Sequence, residues 1–254
     1  MVSLKVFVLC TLSGIVAVTS AESGCRCGDS AYLAIPRVNL STPEQLKPCA
    51  AYKLLDARGS GEPQGVSLMF QNTIERILAN NTGAVSQAVV YPAGFDQNVT
   101  SGVQFVTDVI KYGLRDCPKQ KYFLFGYSQG ATVVQEAINK LDDANLAAIS
   151  SVVMVGNPYR TPGRLSNVDS QGHHDNRTAY GLFAVQALKT NDSIPTFNEA
   201  LDRSGKVADI CLENDIVCSF DPECKCQLAS DHLSYGLMKS VQDQIFDHVI
   251  SRLD

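Results

Sequence analysis

The chain has 254 residues, of which 21 are Lys or Arg and 26 Asp or Glu, giving a formal net charge of −5, and 45% are hydrophobic. This length and apolar content suit one α/β domain with a sizeable core. The acidic balance offers no basic footprint for nucleic acid or an anionic membrane surface.

The first element is a targeting segment. Lys5 is the only charge before Glu22, residues 6–18 are largely apolar, and Thr19-Ser20-Ala21 supplies small residues for cleavage. The pattern predicts a secretory signal over residues 1–21, with a single domain over 22–254. The apolar stretch is too short to span a bilayer, and no later stretch is long enough. Losing Cys10 with the signal takes nine cysteines to eight: Cys25, Cys27, Cys49, Cys117, Cys211, Cys218, Cys224 and Cys226. An even number in a secreted chain reads as disulfides, although spacing alone leaves the pairing open. Asn39, Asn80, Asn98, Asn176 and Asn191 each begin an N-x-S/T triplet, the acceptor pattern for N-glycosylation.

Residues 22–48 carry cysteines, prolines and a glycosylation triplet, and read as an irregular leader. A first strand is predicted over 52–56, running into Ala57-Arg58-Gly59-Ser60-Gly61-Glu62. A helix over 66–79 and a strand over 87–91 follow. The next helix, over 101–114, has Val103, Val106, Val109 and Ile110 on one stripe. Residues 122–125 are an apolar and aromatic run suited to a buried central strand. Residues 129–141 place Ala131, Val134, Ile138 and Leu141 at helical spacing. A fourth strand is expected over 150–155 and a fifth over 206–211, separated by a long polar segment, 159–205. Residues 241–253 close the chain as an amphipathic helix. Strand alternating with helix argues a parallel sheet covered on both faces. Ligand-binding groups in such sheets collect at the C-terminal ends of the strands.

Between the central strand and its helix lies Gly126-Tyr127-Ser128-Gln129-Gly130, a G-x-S-x-G pentapeptide at a strand-to-helix turn. That turn presents a serine hydroxyl at a helix N-terminus, where it can attack an acyl carbon while backbone N–H groups receive the oxyanion. Ser128 is the candidate nucleophile. A nucleophilic serine needs a base, and the base needs an orienting carboxylate. Of four histidines, His173 and His174 precede the last strand and break the chain order Ser, acid, His. His248 borders the apolar face of the final helix and reads as a surface residue. His232 lies after the last strand and before the final helix, where a loop can bring imidazole over the serine. The acid is expected just past the last strand, where Glu213 and Asp215 both lie between Cys211 and Cys218.

Four stretches carry a specific resemblance: A-R-G-S-G-E at 57–62, C-P-K-Q-K-Y-F-L-F-G-Y-S-Q-G at 117–130, C-x-x-x-D-x-V-C at 211–218 and H-L-S-Y-G at 232–236. They are similar, in the same order, to motifs of the cutinase family, secreted serine esterases that include acetylxylan esterases. The resemblance implies a three-layer α/β-hydrolase with a five-stranded, mostly parallel sheet and no metal or cofactor. It also implies a monomer acting on an ester substrate such as cutin, a lipid or an acetylated polysaccharide. By the matching motifs Ser128 is nucleophile, His232 general base and Asp215, rather than Glu213, the orienting acid. The oxyanion hole implied is the N–H of Gln129 with the N–H and hydroxyl of Ser60. The resemblance also implies bridges Cys49–Cys117 and Cys211–Cys218.

Three features depart from the pattern. Cys25, Cys27, Cys224 and Cys226 are extra, and are expected to pair with each other rather than to form a four-thiolate zinc site. The 159–205 segment is long and stands to flank the site. Asp231 puts a charge beside His232 where apolar or proline residues are usual in cutinases. A different class, a glycosylated binding protein that has kept the fold without turnover, is the rival expectation.

Overall fold

The computed structural model describes residues 49–196, 199–224 and 231–253. The expected signal over 1–21, the leader, and Cys25, Cys27, Asn39 and Cys226 lie outside them. Six strands form one sheet in the order β2-β1-β3-β4-β6-β5: β1 (Tyr52–Ala57), β2 (Ala84–Ala88), β3 (Lys121–Tyr127), β4 (Ile149–Val155), β5 (Asn167–Val168) and β6 (Val207–Ile210). Every pairing is parallel. β1 is the hub of one half, with Asp56 opposite Ala88 of β2 and Phe125 of β3.

The expectation of five strands is therefore corrected to six. The additional strand, β5, is two residues long and pairs with β6 from within the long polar segment. Two residues carry no hydropathy period, so only tertiary pairing defines such a strand.

Alternation along the strands divides the core into two layers. On one face Leu55, Leu124, Val152 and Met154 pack with Val103, Val106 and Ile110 of α2 (Thr100–Asp116) and Val134 and Ile138 of α3 (Gln129–Asn139). On the other, Leu54, Phe123, Phe125, Val153 and Val155 pack with Ile74 and Ile77 of α1 (Gln71–Asn80) and Val241, Ile245 and Val249 of α7 (Lys239–Ile250). Three shorter helices complete the set among the described residues: α4 (Asp143–Ala147), α5 (Leu182–Thr190) and α6 (Glu199–Arg203).

The helix expected from residue 66 begins at Gln71. Two carboxylates take the preceding amides: buried Asp56 accepts from the Ser67 N–H at 2.5 Å and half-buried Glu62 from the Leu68 N–H at 2.9 Å. The strand expected over 87–91 likewise ends at Ala88. Beyond it, the Arg58 guanidinium occupies the Tyr91 carbonyl at 2.6 Å and reaches that of Val89 at 3.4 Å.

Candidate active site

The site is assembled at the C-terminal ends of β1, β3, β4 and β6. At the end of β3 the chain reverses into α3 through Ser128, whose φ of 53° and ψ of −119° lie outside the region ordinary L residues prefer. Gly130 makes the reversal possible, because a Cβ there would stand 1.9 Å from the Ala57 carbonyl oxygen. Any side chain would push α3 off β1. Ser128 itself is tied back to the sheet, its N–H donating to the Val155 carbonyl at 3.0 Å.

The structure brings Ser128, His232 and Asp215 into one line. Ser128 Oγ is 2.8 Å from His232 Nε2, and His232 Nδ1 is 2.9 Å from Asp215 Oδ2. His232 lies in a short 3₁₀ turn (Asp231–Leu233) and is largely buried. Tyr127 holds that turn, donating its hydroxyl to the His232 carbonyl at 2.8 Å, with its ring centroid 5.0 Å from the imidazole. Gly156, at the end of β4 with φ +62°, leaves the space the imidazole occupies. A Cβ there would meet His232 Cε1 at 2.7 Å and Nδ1 at 2.8 Å.

Asp215 is fully buried. Burial alone would raise its pKa, but the His232 charge and hydrogen bonds from His232, Tyr235 and the Val217 N–H hold it below the ordinary carboxylate value. The Val217 N–H reaches Oδ1 at 2.8 Å and the Tyr235 hydroxyl reaches Oδ2 at 2.6 Å. The Cys211–Cys218 bridge closes the loop that carries this aspartate. Glu213, in the same loop, is exposed.

The loop after β1 stands beside the serine, since a Cβ on Gly59 would come within 3.4 Å of Ser128 Cβ. Glu62 shapes that loop by accepting from the Gly59 N–H at 2.6 Å. Burial pushes the Glu62 carboxyl up, and its bonds to Gly59, Leu68 and Ser67 oppose the push. Ser60 Oγ accepts from Gln97 Nε2 at 3.0 Å, which fixes the hydroxyl at the loop's tip. Gln129 is the first residue of α3, so its N–H is one of the helix's unshared donors in kind, and its side chain donates to the Gly94 carbonyl at 2.8 Å. The Ser128 hydroxyl, the His232 imidazole and the buried Asp215 carboxylate are thus joined by hydrogen bonds in one line. Such a set can carry out acyl transfer.

The other histidines stand apart. His173 and His174 are exposed, with His173 Nδ1 3.7 Å from Asp169. His248 is half-buried rather than on the surface, and its Nε2 donates to the Lys206 carbonyl at 3.1 Å. Burial, with Arg252 adding to it, lowers its pKa to about 4.

The long segment flanks the acid loop. Its Leu182 N–H bonds the Val217 carbonyl at 2.8 Å, and Tyr180 bridges to Phe220. Arg160 and Asp175, both buried, form an ion pair. Arg177 joins Asp175 and donates to the Cys211 carbonyl at 2.6 Å and the Leu212 carbonyl at 3.3 Å. Cys49 is bridged to Cys117. Cys224 is also disulfide-bonded, and Cys25, Cys27 and Cys226, with which it was expected to be grouped, lie outside the described residues. Sequence reasoning missed Gly156, Tyr127, Tyr235, Gln97 and Arg177. Two of them carried a signal, Tyr235 by its place within H-L-S-Y-G and Tyr127 by its place within G-Y-S-Q-G.

The family model described as Cutinase matches residues 48–253. Cutinase cut1 of Trichoderma harzianum is 35% identical over 139 residues, covering 52% of this chain and 55% of that protein. The chain spans about half the length of the curated relatives it matches. The solved structure of a novel cutinase-like protein from Cryptococcus sp. superposes with a TM-score of 0.69 at 31% identity, covering 82% of this chain and 97% of that one. The catalytic core domain of acetyl xylan esterase from Trichoderma reesei shares the fold, with a TM-score of 0.62 at 21% identity over 81% of this chain and all of that one.

Proposed function

The chain belongs to the cutinase family, and on that premise we propose that it is a secreted serine esterase hydrolysing carboxylic esters through an acyl-serine intermediate. The observation that carries the reading is the relay from Ser128 Oγ through His232 to buried Asp215, at 2.8 and 2.9 Å. His232 Nε2 takes the Ser128 proton as Oγ attacks the ester carbonyl. The tetrahedral oxyanion is received by the Gln129 N–H and by the N–H and hydroxyl of Ser60. Collapse passes the proton from His232 to the departing alcohol and leaves acyl-Ser128. Water deprotonated by His232 then frees the acid, while Asp215 keeps the imidazole in the required tautomer and balances its charge.

The rim supports an acyl or polyester substrate. Phe95 is 83% exposed beside Gly61, and Leu233 is exposed next to His232. Secretion with removal of residues 1–21, and a single domain over 22–254, belong to the same reading. The disulfides suit an oxidising compartment. Asn80, Asn98, Asn176 and Asn191 are all exposed, as glycan acceptors must be.

The test is hydrolysis of nitrophenyl esters from acetate to palmitate, beside cutin and acetylated xylan, by wild type and Ser128→Ala. Ser128-dependent turnover at short or medium chains with acid released from cutin is expected. Release of acetate from xylan alone would move the assignment to the acetylxylan esterases. No Ser128-dependent turnover, together with no labelling of Ser128 by an organophosphonate, would leave the binding scaffold as the reading.

A further inference from the structure

The oxygen of Asp215 that faces the imidazole serves two donors. Oδ2 accepts from His232 Nδ1 at 2.9 Å and from the Tyr235 hydroxyl at 2.6 Å. Tyr235 follows His232 by three residues, is fully buried, and presents its ring edge-on to the imidazole with centroids 6.4 Å apart. The direction of its hydroxyl proton is fixed by a second bond. The Leu212 N–H donates to the same phenol oxygen at 3.1 Å, which turns the O–H toward the carboxylate. The backbone is fixed as well, with Gln242 of α7 donating to the Tyr235 carbonyl at 2.9 Å.

We propose that Tyr235 is a positioning residue of the Ser128–His232–Asp215 relay, its hydroxyl drawing charge from Asp215 Oδ2 and so setting how strongly the carboxylate holds a proton on His232. The proposal rests on the esterase reading, but its first test does not need turnover. Two physical arguments carry it. A fully buried carboxylate is costly to ionise unless donors compensate it, and Tyr235 is one of three. A donor on the shared oxygen also weakens that oxygen as an acceptor for imidazolium, so His232 releases its proton more readily for the next turnover. The phenol stays protonated in this role: burial, and then the Asp215 charge, push its pKa well above the ordinary tyrosine value.

The other groups around the imidazole do not duplicate the effect. From β3, the Tyr127 hydroxyl engages the His232 carbonyl and not the ring. Asp231 neighbours His232 in the turn and is partly exposed. Ser128 faces Nε2. From the acid loop, Cys218 Sγ is 3.3 Å from the phenol oxygen and belongs to the Cys211–Cys218 bridge, so it carries no charge.

The experiment follows the His232 imidazole by NMR as a function of pH in free wild type and in Tyr235→Phe, with His232→Gln identifying the signal. The pH dependence of kcat/KM on nitrophenyl butyrate is recorded alongside. Tyr235→Phe keeps the ring and removes the hydroxyl, both the donor to Asp215 and the acceptor of the Leu212 N–H, whereas a fluorinated tyrosine keeps both bonds. Its His232 titration and the acid limb of kcat/KM should both move to higher pH, by about half a unit or more. kcat should fall with KM unchanged, since Tyr235 has no reach to substrate. Replacing Tyr235 by 3,5-difluorotyrosine keeps the hydroxyl and makes it a stronger donor, so the titration should move to lower pH; this arm decides alone if the Phe variant does not fold. A titration unmoved in the variants that fold, even with activity lost, would overturn the proposal and leave Tyr235 a packing residue. A moved titration in a wild type that hydrolyses no ester would support the Tyr235 arrangement and sink the esterase reading.

Discussion

Single side chains at this site succeed or fail by ångströms. Gly156 shows how little room there is. With φ at +62° and a hypothetical Cβ 2.7 Å from His232 Cε1, Gly156→Ala must displace either β4 or the imidazole. A shift of about 1 Å at a reacting group costs about 10²-fold in rate, so the variant should lose kcat by that order while Ser128 and Asp215 remain. Wild-type kcat/KM in this variant would show that the pocket accommodates the methyl elsewhere. Protonation is the second control at this scale. In the proposed mechanism His232 must be neutral to accept the Ser128 proton, so kcat/KM should fall as the medium is acidified. A flat profile from pH 5 to 8 would count against the relay. Ser128, His232 and Asp215 were legible as candidates because each sits in a local motif with its own spacing. The roles of Gly156 and Tyr127 were not, because what they do depends on a residue 76 or 105 positions away in the chain.

Among the elements, the junction of β6 with its neighbours holds a buried and a half-buried group whose titrations oppose each other. Asp209 in β6 accepts from Asn157 through Oδ2 at 2.9 Å, while its Oδ1 has no hydrogen-bond partner. Burial raises its pKa to about 6, with Arg160 and Asn157 limiting the rise. The folded state therefore binds this proton more tightly than the unfolded chain. Stability from this group is fullest below about pH 4 and declines as pH rises to about 6. His248 of α7 behaves the other way. Its folded pKa of about 4 lies below the unfolded value of 6.5, so its penalty is absent above pH 6.5 and grows as pH falls toward 4. Each shift corresponds to about 3 kcal/mol. The opposing slopes flatten the wild-type profile, and single variants should expose them. Asp209→Asn should raise the unfolding temperature at pH 8 and not at pH 4. His248→Gln should protect at pH 4.5 and change little at pH 8. Thermal scans at the two pH values decide both, and a gain at the wrong pH would refute the assignment concerned. The element pattern itself was legible wherever a hydropathy period ran long enough, as in α2, α3 and α7. It erred at α1, where the Asp56 and Glu62 carboxylates claimed the first amides, and at β5, too short to have a period.

For the molecule as a whole, the two described bridges do different work. Cys49–Cys117 spans 68 residues and Cys211–Cys218 spans 7. Loop-closure entropy then gives about 4 kcal/mol for the first and about 2 kcal/mol for the second. Replacing Cys49 and Cys117 together by Ala should lower thermal stability more, yet leave kcat/KM near wild type. Replacing Cys211 and Cys218 should lower stability less but reduce kcat/KM by at least about tenfold, because the Asp215 carboxylate loses its rigid loop. Equal activity losses in the two double variants would remove the distinction. The sequence by itself determined the strand–helix alternation, the serine at its turn and the motifs that place the chain in its family, since these are written in short stretches of contiguous residues. Tertiary structure alone decided the sixth strand, the carboxylate–amide bonds that delay α1, the fit of Gly156 under His232 and the meeting of Tyr235 with Asp215. Those features depend on which side chains are buried against one another across the sheet, and neither burial nor distance is a property of any local stretch of chain.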